Sequence, residues 1–116
     1  MSRDLRLHRT PADVLDYEIV QEQAAALGRM GRALETALAR LAEFDAAYPR
    51  AGAPPSTQKA RRTLAMEAGH ALWMFVVQRE ACGLRDSRLL MRDYDVPVEV
   101  QQLMGAVYSR PSAQGR

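Results

Sequence analysis

Three features of the sequence predict an all-α protein built on a long antiparallel helical hairpin. Between Pro11 and Tyr48 no proline interrupts a run rich in Ala, Leu, Arg and Glu, all strong helix formers. The stretch Arg50–Ser56, RAGAPPS, with its small residues and adjacent prolines, is the one clear linker. Beyond it, inside RTLAMEAGHALWMFVVQREACG, residues Leu72, Trp73, Met74, Phe75, Val76 and Val77 follow one another without a polar break. At about 100° per residue they cover the whole circumference of a helix. Such a helix must be covered from several directions, by a long helix before it, by short helical pieces after it and by a second copy of the chain.

Taken in order, residues 1–10 read as a flexible arm in which Leu5 and Leu7 offer docking contacts. Thr10, Pro11 and Asp13 then form a helix start: a hydroxyl cap, a proline where a missing N–H costs nothing, and an acid in the first turn. The first helix, Pro11 to Tyr48, would be about 57 Å long. Its positions Leu27, Met30, Leu34, Ala37, Leu41, Phe44 and Tyr48 step by three and four, a heptad seam widened by Leu38 and continued in the first turns by Val14, Leu15 and Ile19. Gly28 and Gly31 weaken an isolated helix, so they are expected to admit a large side chain or to mark a bend. The second helix is expected over Thr57 to Cys82, capped by Ser56 or Thr57 and stopped by Gly83. Asp86 caps a short helix to about Arg92, and Pro97 opens a last one to about Tyr108. Residues 11–108 make a single domain, and the polar tail 109–116 is expected to be disordered.

A linker this short makes the two long helices antiparallel neighbours whose facing residue numbers add to about 104. That register sets Asp45 opposite Lys59, Glu43 opposite Arg61 and Glu22 near Arg79, all opposite in sign. It also sets Gly31 opposite Trp73, which predicts the indole in the glycine notch. Two helices side by side enclose no centre, so the apolar band Leu72–Val77 predicts a homodimer forming a four-helix bundle. The alternative cover is the pair of C-terminal helices.

Composition narrows the class of function. Sixteen Lys and Arg against fourteen Asp and Glu leave a formal charge of +2, a mixed surface without the single-sign field that nucleic acid binding demands. The single cysteine, Cys82, rules out an internal disulfide and removes zinc-ribbon and thioredoxin-type motifs. The basic start MSRDLRLHR runs into Thr10, Pro11 and Asp13 where a signal peptide needs its apolar core, and no apolar run approaches a membrane span of about 20 residues. The expected setting is reduced, cytoplasmic and free of membrane.

Three constellations carry possible chemistry. Glu67 and His70 form an E-x-x-H pair one turn apart, with Glu35 of the first helix nearby. Di-iron carboxylate bundles use two such pairs and two further glutamates, so a two-fold dimer would complete the set with Glu35, Glu67 and His70 of each chain holding iron or another transition metal. The plainer expectation has no cofactor, His70 facing solvent or hydrogen-bonded and Glu67 serving as a solvated helix charge. Cys82 lacks a base in reach, because His70 lies about 18 Å away along the same helix. Ser87 to Met104 has the outline of a helix-turn-helix, giving a DNA-binding dimer as a further alternative. Its would-be recognition helix offers Glu99, Gln101 and Gln102 but no Arg or Lys, and phosphate contacts would fall to Arg85, Arg88 and Arg92. There is no glycine-rich phosphate loop and no G-x-S-x-G.

The blocks Trp73 to Asp86 (WMFVVQREACGLRD) and Tyr94 to Gly105 resemble small uncharacterised proteobacterial proteins that carry no assigned activity. The resemblance covers roughly the C-terminal half, brings no catalytic residues and implies a bacterial cytoplasmic protein of unknown function. The role expected from the residues themselves is that of a non-enzymatic interaction or scaffold protein acting as a homodimer.

Overall fold

The computed structural model describes residues 10–105, and the regular structure among them is helical throughout. Helix α1 spans Pro11–Ala47, α2 spans Pro55–Ala81 and α3 spans Ser87–Asp93. Residues 98–105 are the described part of a further helix, α4. The hairpin with two short helices after it is therefore the architecture found. The expected arm over 1–9, the helix end at Tyr108 and the tail 109–116 lie outside the described residues.

Local chemistry explains where the helices begin and end. At α1 the Thr10 hydroxyl accepts from the Asp13 N–H at 3.1 Å while the Asp13 carboxylate accepts from the Thr10 N–H at 3.2 Å, a reciprocal capping pair. Helix α2 begins two residues before the expected start, and neither Ser56 nor Thr57 caps it. Pro54 takes the cap position and Pro55 the first helical one, where its fixed φ suits the helix and no N–H is needed. Gly83, at φ +88°, ends α2 with its own N–H and that of Leu84 donating to the Glu80 and Arg79 carbonyls. Asp86 caps α3 as expected, its side chain accepting from the Arg88 N–H at 3.1 Å. The end of α3 repeats the α2 pattern with a non-glycine in the left-handed position, Asp95 at φ +51°.

Leu34 and Leu41 of the seam meet Ala65, Ala68, Leu72 and Phe75 of α2, and Leu90, Val96 and Val100 complete the same core. The C-terminal pieces thus cover part of the band Leu72–Val77: Leu72 and Phe75 are buried, Trp73, Met74 and Val76 half-buried, and Val77 exposed. No buried polar or charged residue interrupts this core among the described residues.

The register differs from the expected one. Arg61 pairs with Asp45 rather than Glu43, so facing numbers add to about 106, and none of the three expected charge pairs forms among the described residues. Lys59 has no ion pair, Glu22 bonds within its own helix to Arg29 at 3.3 Å, and the Arg79 guanidinium lies 5.9 Å from the centre of the Phe75 ring. The linker is the cause. It turns through Gly52 at φ +72°, with the Ala53 N–H donating to the Arg50 carbonyl, and it runs past the end of α1 before α2 begins. Every α2 residue is displaced by two, which brings Phe75 and not Trp73 to Gly31. A Cβ built on Gly31 would lie 3.4 Å from the Phe75 ring and 2.7 Å from the Tyr94 hydroxyl. The two rings pack edge to face with centroids 5.4 Å apart. The notch exists, but Phe75 and Tyr94 fill it.

The two glycines of α1 should therefore respond oppositely to substitution. Near Gly28 a Cβ would meet only the flexible end of Arg32, so Gly28→Ala is expected to raise stability by about 0.5 to 1 kcal/mol through helix propensity. Gly31→Leu overfills the notch and is expected to lower it by about 1 to 3 kcal/mol. Urea midpoints of the two variants against the parent check both. The same measurement applied to Asp95→Gly should show a gain of about 0.5 to 1 kcal/mol, because glycine relieves the left-handed strain at that position.

Candidate functional site

The residues expected to carry chemistry are spread over the surface of the hairpin. Glu35, Glu67 and His70 are all exposed, and Glu67 pairs with Arg40 at 3.6 Å. Among the described residues no three His, Cys, Asp or Glu side chains converge closely enough to hold a metal within one chain. Cys82 is the half-buried cap residue of α2 and lies 3.7 Å from the Gln78 amide nitrogen. The helix-turn-helix outline of α3 and α4 is present, yet α4 uses the side chains it would read with. Glu99 is paired to Arg61, and the Gln101 amide donates to the Val96 carbonyl at 3.0 Å, leaving Gln102 exposed. Val100 is fully buried.

The polar centre that the structure assembles is Arg61, whose role the expected register misassigned. Its guanidinium donates through Nε and Nη2 to the two Asp45 oxygens at 2.7 and 3.0 Å and through Nη1 to Glu99 at 2.8 Å. One side chain from α2 therefore ties α1 and α4 together, and it is 12% exposed. The fork geometry of arginine makes the double contact possible. Hydrogen bonding from Arg61 is the chief cause that lowers the Asp45 and Glu99 carboxyls below their usual range, and the nearby Arg50 charge adds to it. Arg61 in turn is held above its ordinary value, first by Asp45 and then by Glu99.

Around this centre, where the hairpin turns, lies an open cleft of about 510 Å³. Phe44 and Tyr48, with ring centroids 4.7 Å apart, contribute its aromatic wall, and Arg50, Lys59 and Arg62 line it as well. Those three cations have no ion pair among the described residues, whereas Arg61 and Glu99 satisfy each other. The cleft thus combines an apolar face with three cations that make no ion pair, of which Arg50 acts through its charge on Asp45 and Glu99.

The opposite end of the molecule has the opposite character. Ala81 closes α2 opposite about residue 25 of α1, so the first four turns of α1 project roughly 20 Å beyond their partner helix. Every residue from Pro11 to Glu22 is exposed. Val14, Leu15, Tyr17, Ile19 and Val20 are among them at 40 to 60% exposure. The seam positions expected to serve the first turns are therefore not covered by any described part of the chain. From residue 11 to 28 the sequence holds Asp13, Asp16, Glu18 and Glu22 and no Lys or Arg.

Removing the Arg61 clamp tests what it holds. Arg61→Ala is expected to cost about 1 to 2 kcal/mol at neutral pH, a figure held low because Asp45 and Glu99 each keep about a third of their side chain in solvent. Both carboxyls are lowered in the folded state, so the stability they lend is complete above their ordinary values of 3.8 and 4.5 and is lost as pH falls through the folded ones. Urea midpoints measured from about pH 6 down to pH 2 should fall less steeply for the variant than for the parent.

No curated protein and no solved structure matches this chain. No helix among the described residues is long and apolar enough to cross a membrane. Residues 5–112 match a family of unknown function, DUF6665, so the match takes in both long helices, the clamp, the cleft and the overhang, and the chain belongs to that family.

Proposed function

We propose that this protein is a non-enzymatic interaction protein that works as a homodimer through the overhang of α1. The observation that carries the reading is the exposure of four large aliphatic residues, Val14, Leu15, Ile19 and Val20, on a helix segment that no other described helix covers. Isolated helices of 12 to 15 residues are marginal in water, and this one begins with a proper cap yet packs on nothing described. The apolar band of α2, by contrast, is partly closed over by α3 and α4 and gives less reason for a second subunit than the sequence suggests. With the exposed part of the Tyr17 ring, the four aliphatic residues present on the order of 400 Å² per chain, about half of what one partner contributes to a standard interface. With the polar side chains between them the overhang is large enough to support a stable pair.

Light scattering at micromolar concentration tests this. The expected mass is twice 12.9 kDa, and a mass of 12.9 kDa that stays constant on tenfold concentration would sink the reading. Replacing Leu15 and Ile19 together by Glu should give a monomer with its helix content intact, since both side chains are half-exposed within the chain.

A further inference from the structure

We infer that the hairpin-end cleft binds a small organic anion, a planar aromatic ring carrying a phosphate monoester, with the ring against Tyr48 and the phosphate shared by Lys59 and Arg62. The site lies at the end of α1 away from the overhang, so the inference stands or falls apart from the homodimer reading. Lys59 and Arg62 are three residues apart on α2, which puts two like charges on one face of the helix. Nothing of opposite sign relieves them. The positions three and four residues from either one hold Pro55, Ser56, Gln58, Thr63, Ala65 and Met66, and no acid. Neither side chain makes an ion pair among the described residues. An anion seated on both removes a repulsion as well as gaining an attraction.

The cleft supplies the rest of the site. Its volume of about 510 Å³ falls within the range of about 300 to 1,000 Å³ that small-molecule sites occupy. Phe44 and Tyr48 lie with ring centroids 4.7 Å apart, and Tyr48 is still 51% exposed, which leaves ring area for a planar group to pack on. The clamp repels an anion on its own side, because it brings the two carboxylates of Asp45 and Glu99 to the one guanidinium of Arg61. Arg50 acts through its charge on those same carboxylates and so offsets their excess. The anionic group of the ligand therefore falls to Lys59 and Arg62. A phosphate monoester, with close to two negative charges at neutral pH, matches that pair better than a carboxylate does. A bare anion would leave the Tyr48 ring in water and a neutral aromatic would leave the two cations repelling, so the cleft favours a ligand with both parts.

Titrating the full-length, isotope-labelled protein with naphthyl phosphate at constant ionic strength, and following the backbone amides by NMR, tests this. The shifts should centre on residues 48–62 and saturate with a Kd on the order of 1 mM or tighter. Naphthol and inorganic phosphate, each with half of the chemistry, should bind about tenfold more weakly or worse. Lys59→Gln combined with Arg62→Gln should weaken naphthyl phosphate by a similar factor, as should Tyr48→Ala, whereas Tyr48→Phe should keep the parent's affinity. The three positions are exposed, and urea midpoints near the parent's separate lost binding from lost fold. Three results would each overturn the inference: no saturable shift at the cleft, equal affinity of the parent and the Lys59 and Arg62 double variant, or equal affinity for naphthyl phosphate and either of its halves.

Discussion

Helix α2 is covered on two sides because two helix backbones present glycine where a neighbour has to come close. At Gly31 of α1 the Phe75 ring and the Tyr94 hydroxyl occupy the space that a side chain would take. At Gly69 of α2 the close neighbour is backbone: a Cβ would stand 3.2 Å from the Leu103 carbonyl carbon and 3.3 Å from the Met104 nitrogen. The first contact fixes the register of the hairpin, because an aromatic seated in a notch cannot slide along the helix. The second brings α4 down onto the hairpin, which buries Val100 and carries Glu99 to Arg61. Packing comes first in this order of causes, and the ion pairs follow from it.

Polar chemistry is accordingly pushed to the surface and to the ends. With an apolar core, the charged groups that stand out are the three of the Arg61 clamp, and their perturbation is explained by one another. The clamp holds together the corner where the linker, α2 and α4 meet. Arg61 takes the hydrogen bonds of Asp45 and Glu99, and Arg50 acts on the same two carboxylates only through its charge. The clamp carries two carboxylates to one guanidinium, so the positive lining of the cleft comes from Arg50, Lys59 and Arg62 and is partly offset by it.

The parts of this structure that were legible in the sequence are those set by short-range chemistry. Thr10, Pro11 and Asp13 announce a helix start, Gly83 a stop and Asp86 a cap, and the three-four spacing from Leu27 to Leu41 marks the buried face of α1. The register was not legible to within two residues, because it depends on how far Arg50–Pro54 carries the chain before α2 begins, a matter of turn geometry that residue types do not encode. Confusing Phe75 with Trp73 at the notch follows from that alone, as does assigning Arg61 to Glu43. The Arg61 clamp has a further reason for being hidden, since Asp45 and Glu99 are 54 residues apart in sequence and meet only after α4 folds back on Gly69. Gly69 itself gave no signal beyond being a glycine inside a helix, although such a residue is often a sign of close approach.

The overhang follows from a mismatch that is visible in the helix lengths. Helix α1 has 37 residues and α2 has 27, and an antiparallel hairpin joined by a short linker must place the surplus at the end away from the turn. A surplus with no role would be expected to carry polar residues on all faces, since nothing in its own chain would reward burial. This one keeps valine, leucine, isoleucine and tyrosine on several faces, interleaved with acids and no bases. The exposed apolar residues therefore favour a covering surface, which is what the proposed homodimer would supply.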